Sequence, residues 1–357
     1  MRADWSYPIP ISLGPGRIAD LPALCRRAGV AHPLIVALAG DPALDAARLI
    51  FAEDETPTGV FDRFGPAPDE RDLGAAIASF VVGRHDGVVA LGGDEAVSLA
   101  RLIGVMDGRS EPLGDVFAAP VEARAPPVLA VVGLCTIASA PVARLRDLGG
   151  RPLHVADAAI GLSGLIIDPD LAAPLSPAAI AADGVRALAA ALGGYADPAF
   201  HPFSDGVALE AVGHLSANLA PAFWRPANRD AVAGLAVGAA LAGVAGIKAR
   251  GPVEPLIDAI GEDGQPPGIA LIAGWLRAFR PVLENRVGRL APRLGLAGGI
   301  DGLQNLLTDL ACDIGAPPRL SAMGVAERDL ASLAARAARC RPDVSEADYM
   351  KILQSSF

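Results

Sequence analysis

Aromatic side chains, paired cysteines and histidines are all scarce in this sequence, and each shortage removes a class of explanation. Aromatics supply only 4% of the 357 residues, so Ala, Leu, Val and Gly must build the core. Cys25, Cys135, Cys312 and Cys340 lie far apart with no C-x-x-C pair, which argues against a disulfide framework. The opening MRADWSYPIP has no apolar signal-peptide core, and with the cysteine pattern it suggests a reducing, cytoplasmic location. Only five histidines occur, His32, His85, His154, His201 and His214, so a histidine ligand is excluded from everything after His214. The formal charge of −10, from 30 Lys and Arg against 40 Asp and Glu, offers no general attraction for nucleic acid or an anionic membrane.

Long membrane-spanning runs are scarce too. The uncharged stretch from Arg124 to Arg144 contains Pro126, Pro127, Gly133 and Pro141 and reads as a buried strand running into a loop. The stretch from Asp230 to Lys248, AVAGLAVGAALAGVAGI, is marginal for a span and reads as a buried Gly/Ala helix. Neither points to a membrane protein.

What remains is ample apolar material, 52% hydrophobic residues with 20% charged, enough for two globular domains. Residues 33–38 (PLIVAL), 87–91 (GVVAL), 128–132 (VLAVV) and 164–171 (GLIIDPDL) are short apolar runs of the kind that buried parallel strands require. Between the first two, DERDLGAAIASFVVGRH places Leu73, Ile77 and Phe80 on one helical face, giving a βαβ layout. After AAPLSP (172–177) the texture becomes helical over 177–194, 205–220, 230–247, 266–291, 299–314 and 326–339. Two domains are expected, α/β over 1–175 and all-helical over 176–357.

Five segments in order, YPIPISLGPGRIADLPALCRRAG, VVALGGDEAVSLARLIG, GLIIDPDLAAPLSPAAIAADGVRALAAALGGY, HPFSDGVALEAV and CRPDVSEADYMKIL, resemble the iron-containing (group III) alcohol dehydrogenases. The shorter maleylacetate reductase branch is the nearer in length and spacing. The resemblance implies a Rossmann-like N-terminal domain and an all-α C-terminal domain in a dehydroquinate synthase-like architecture. It also implies an interdomain active-site cleft, an NAD(P) cofactor and a homodimer.

Three family elements can be compared residue by residue. The glycine-rich phosphate turn, G-G-G-S-x-x-D-x-A-K in the family, reads Gly92, Gly93, Asp94, Glu95, Ala96, Val97, Ser98, Leu99, Ala100, Arg101. Its glycines would admit a pyrophosphate to a helix N-terminus. Asp94 and Glu95, however, bring carboxylates that repel phosphate by about 1–4 kcal/mol at ~4 Å. Either these residues serve only the helix, Asp94 as its cap and Glu95 in its first turn, or they turn aside and Gly92, Gly93, Asp94, Glu95, Ser98 and Ser139 form a retained cofactor site. The nicotinamide loop, T-T-x-G-T-G-S-E in the family, reads Gly133, Leu134, Cys135, Thr136, Ile137, Ala138, Ser139, Ala140, and only Ser139 matches. Cys135 has no neighbouring base in sequence and reads as a structural thiol.

The family metal is held by one Asp and three His, the first two in G-M-D-A-L-T-H. Here the Asp position is Arg186 and the His position Ala190. No histidine is left downstream, Pro255 and Pro267 stand near the expected positions, and no metal is expected. Glu254, Asp258, Glu262 and Asp263 have oxygens for some other ion, although Arg186 argues against a nearby dication. Arg186, with Lys248 and Arg250 after the central apolar helix, could instead bind an anionic group or a developing oxyanion; alternatively Arg186 faces solvent or pairs with Asp183. Arg186 and Lys248 are therefore the candidate catalytic residues.

The remaining singular residues read as structural. His201 is a loop residue, His214 is part-buried on a helix, Trp224, Trp275, Phe200 and Phe203 are packing residues, and Asp168 and Asp170 cap a turn around Pro169. Three functions follow: a metal-independent NAD(P)-dependent oxidoreductase acting on a small, anionic carbonyl or alcohol; a non-redox enzyme on the same scaffold with a cationic cleft at Arg186; or a catalytically silent partner subunit.

Overall fold

The computed structural model describes residues 9–109, 111, 113–117, 126–134, 139–260 and 268–357. They fall into two compact units that divide between Pro174 and Leu175.

The first unit is built on strands β1 (Ile11–Leu13), β2 (Pro33–Val36), β3 (Gly59–Phe61), β4 (Gly87–Leu91), β5 (Val128–Val132), β6 (Val142–Arg146), β7 (Pro152–Ala156) and β8 (Gly164–Ile167). Its helices are α1 (Leu21–Ala28), α2 (Pro42–Glu53), α3 (Glu70–Val82), α4 (Asp94–Met106) and α5 (Leu113–Val116). Six strands form one sheet in the order β1-β8-β5-β4-β2-β3, every pair parallel. Every residue of β2, β4, β5 and β8 is buried, which is why these strands read in the sequence as unbroken apolar runs.

Connectivity singles out one place in this sheet. From β2 the chain moves outward through α2 to β3, then returns through α3 to β4 on the other side of β2. The carboxyl ends of β2 and β4 therefore flank a topological switch point, where open α/β sheets leave a crevice for ligands.

Two features tie the sheet's ends together. Asp168, fully buried after β8, accepts from the backbone N–H groups of Gly16 and Ile18 at 3.0 Å and of Asp170 at 3.1 Å. The capping expected around Pro169 is thus present for Asp168, whose carboxylate also anchors the chain after β1, whereas Asp170 takes part through its backbone N–H. Gly133, following β5, lies so close to the backbone of Leu171 and Ala172 that an added Cβ would collide with it.

Strands β6 and β7 form a separate antiparallel hairpin, where the sequence gives only a loop at the end of 124–144 and no strand over 152–156. Alternation through Val142–Arg146 followed by Gly149-Gly150 was the available signal.

The second unit is helical: α6 (Pro177–Ala196), α7 (Pro202–Trp224), α8 (Arg229–Ala245), α9 (Val253–Ile260), α10 (Gly268–Ala278), α11 (Arg280–Leu283), α12 (Leu290–Arg293), α13 (Ile300–Asp313), α14 (Leu330–Cys340) and α15 (Glu346–Ser356). Small residues let its central helices approach: a Cβ on Gly194 would strike the carbonyl of Ala245, and one on Gly193 would strike Gly251. The stretch 266–291, expected as one helical segment, is broken after Ala278, because Pro281, in the first turn of α11, has no N–H to continue the old helix. Among the described residues no helix is long and apolar enough to cross a membrane.

Candidate functional site

The switch point in the first unit gathers the residues of the glycine-rich turn. Gly92 ends β4 with φ +101, a conformation that side-chain-bearing residues rarely adopt. Gly93 is the N-cap of α4 and provides no side-chain cap, and of the first amides of that helix the Glu95 N–H is met by its own carboxylate. Asp94 is therefore not the helix cap, contrary to the structural expectation for it. It is the first helical residue, and its carboxylate accepts from the Arg144 guanidinium at 2.7 Å, with both side chains largely buried.

Glu95 lies half-buried and folds back over Gly93, where an added Cβ would meet its carboxyl oxygens at 2.9 Å. Burial pushes this carboxyl above the usual range; its own backbone N–H counters the shift, and the Asp94 and Asp41 charges add to it. A third carboxylate comes from the end of β2. Asp41 caps α2, with Oδ1 accepting from Ala43 N at 2.8 Å, while its Oδ2 lies 2.5 Å from where a Cβ on Gly92 would be.

Ser98 does not present a free hydroxyl to the crevice. It is fully buried, and its Oγ accepts from the backbone N–H of Arg144 at 2.9 Å. One turn on, the fully buried Arg101 donates to the carbonyl of Val142. Strand β6 is thereby fixed along α4 at both positions and delivers Arg144 to Asp94. Arg144 and Asp41 are the members that sequence reasoning missed: Arg144 lies on the unforeseen hairpin, and Asp41 lies in the loop between β2 and α2. Ser139 is buried; Cys135 and the rest of that loop through Ala138 lie outside the described residues.

In the second unit Arg186 projects from α6 to α9, where its guanidinium donates to Asp258 Oδ1 at 2.5 Å. Both side chains are more than four-fifths buried, at 19% and 11% exposure. Its partner is thus Asp258, and neither solvent nor Asp183. Arg250 faces the buried Glu254 at 3.9 Å, and Ala190 is buried at 3% exposure. Two of the four acidic residues considered as oxygen donors are therefore matched to arginines; Glu262 and Asp263 lie outside the described residues. The family metal does not fit this arrangement: an arginine and an alanine occupy two ligand positions, and among the described residues no group of three or more His, Cys, Asp and Glu could hold an ion.

Lys248 has a different set of neighbours. Its ammonium is 1% exposed and donates to the Asp197 carbonyl at 2.6 Å and Asp205 Oδ1 at 2.8 Å. Asp205 also accepts from Arg286 at 2.8 Å through both oxygens, and Arg286 donates to the Tyr195 carbonyl and stacks over its ring. Lys248 and Arg186 share none of these partners.

The aromatic and histidine assignments divide. Trp275 is buried as expected, whereas Phe200, Phe203 and Trp224 are 51%, 68% and 68% exposed, and Trp224 instead donates its indole N–H to the Asp313 carbonyl. His201 is the N-cap of α7, with Nδ1 accepting from Ser204 N at 3.1 Å; His214 is part-buried as expected.

Residues 8–143 match the family model described as "Iron-containing alcohol dehydrogenase". The 4-hydroxybutyrate dehydrogenase of Cupriavidus necator is 26% identical, with 98% of each chain aligned. Among solved structures, a 1,3-propanediol oxidoreductase superimposes with a TM-score of 0.91 at 22% identity, covering 99% of this chain and 100% of that one. The sulfoacetaldehyde reductase of Bifidobacterium kashiwanohense, solved with NAD+, superimposes with a TM-score of 0.86 at 20% identity, covering 99% and 98%.

Proposed function

The chain belongs to the iron-containing alcohol dehydrogenase family, and from that premise we propose that it is a metal-independent, NAD(P)-linked oxidoreductase of a small anionic carbonyl or alcohol. The observation that carries this reading is the Arg186–Asp258 pair, a fixed guanidinium at the position where the family resemblance implies a metal-ligating carboxylate.

The switch-point crevice fits a dinucleotide. Two glycines and the start of α4, where Gly93 supplies no side-chain cap, offer backbone donors to a pyrophosphate once the Glu95 carboxylate leaves its own N–H. Arg144 offsets the charge of Asp94, and burial makes the charged form of Glu95 less favourable. Nicotinamide dinucleotide, when bound, supplies or accepts the hydride. Arg186 commits one N–H to Asp258 and has further N–H groups for a substrate oxygen or carboxylate, and Asp258 fixes the orientation of that fork. Lys248, already engaged by Asp205 and Asp197, acts as a positioning residue for the ends of α6 and α7. An anionic substrate accords with the compounds named for two relatives, 4-hydroxybutyrate and sulfoacetaldehyde.

Asp41 and Glu95 favour a second reading, a non-redox or catalytically silent member, because two carboxylates face the phosphate turn. Fluorescence titration with NADH and NADPH of protein purified without added metal separates the two. Saturable binding, together with carbonyl reduction that falls about 100-fold in Arg186→Ala at unchanged cofactor affinity, is expected. Absence of binding by both dinucleotides would establish the second reading.

A further inference from the structure

The helical unit holds a cavity of about 770 Å³ between α10, α13 and the end of α15. None of the candidate catalytic or cofactor residues lines it. Its wall is apolar at Ile269, Leu307 and Pro317, and among the described residues no aspartate or glutamate side chain lines it. It does contain two arginines, Arg277 and Arg319. In a chain with ten more acidic than basic residues, two cations sharing a cavity without a carboxylate side chain call for a physical account.

Arg277 is held in place from two sides, donating to the Ser355 carbonyl at 2.5 Å and to Gln304 Oε1 at 3.3 Å. Both acceptors are neutral, so its charge is uncompensated, and three of its five N–H groups remain for a ligand. Arg319 is exposed and has no ion-pair partner among the described residues. Partial burial and the neighbouring Arg319 charge make the charged form of Arg277 less favourable than that of an ordinary arginine. Like charges held together raise the free energy of the empty cavity, and an anion between them lowers it. The apolar wall selects among anions: a hydrocarbon body gains by leaving water, whereas inorganic phosphate gains nothing there.

We propose that this cavity is a second binding site, for a small organic carboxylate whose head is held by Arg277 and Arg319 and whose hydrocarbon body lies against Ile269, Leu307 and Pro317. The site stands independently of the proposed redox reaction.

Cys312 supplies a local reporter, since it lines the cavity and is exposed. Cys25 is buried with its thiol pushed up to about 12, and burial raises Cys340 as well, so Cys312 should react ahead of both with iodoacetamide. Octanoate is expected to slow Cys312 alkylation, followed by peptide mass spectrometry, about tenfold at saturation, an occupancy that millimolar ligand reaches even for a weak site. Octan-1-ol and inorganic phosphate should protect far less. Arg319→Ala should abolish the protection and Arg319→Lys restore part of it, with thermal melting verifying that both variants fold. Equal protection by octan-1-ol, undiminished protection in Arg319→Ala, or no protection by octanoate would each overturn the proposal.

Discussion

Glu95 carries the sharpest residue-scale consequence. A carboxyl whose folded pKa is raised by burial takes up its proton at a higher pH than an exposed glutamate. As pH falls through that raised value, the charge facing the phosphate turn disappears and dinucleotide affinity should rise. Glu95→Gln fixes the uncharged state. It is expected to bind NADH about tenfold more tightly than the native chain above the titration, corresponding to ~1.4 kcal/mol, and to lose the pH dependence. Titrations across the acid-to-neutral range check this, and parallel profiles for the two proteins would contradict it. The identity of the residues at the turn was plain in the sequence, but their states were not. Asp94 is paired with Arg144, fifty positions away, and no local pattern announces such a partner.

At the scale of elements, buried parallel strands were legible because burial on both faces demands an uninterrupted apolar run, as in GVVAL and VLAVV. The β6–β7 hairpin was missed because its residues are mixed, with Arg144 and Arg146 interleaved among apolar neighbours. The helical region was recognised as such, while its breaks depended on backbone chemistry at Pro281. Lys248 illustrates how an element can absorb a candidate site residue. Its bonds to Asp197 and Asp205, with Arg286 on the far side, tie the end of α6 to the start of α7. Lys248→Met retains the stem but removes the charged donors, and should destabilise the protein by about 2–3 kcal/mol, read as a lower denaturation midpoint at constant m-value. A midpoint within error of the native chain would remove this structural role.

For the whole molecule, the residue inventory predicts independence from metal. Activity or dinucleotide binding should be unaffected by prolonged dialysis against a chelator, and elemental analysis should find transition metal far below one ion per chain. Loss of function on chelation, restored by iron or zinc, would refute the ligand assignment. The sequence by itself determined the alternation that builds the sheet, the helical texture after residue 175, and the lack of histidine beyond His214, because these depend on composition and on periodicities between near neighbours. Tertiary structure alone decided that Arg186 meets Asp258 and that Arg144 meets Asp94. It also brought Asp41 to Gly92 across the switch point. Such pairings join charges 50 to 72 positions apart, and only the folded path of the chain sets which opposite charge each will find.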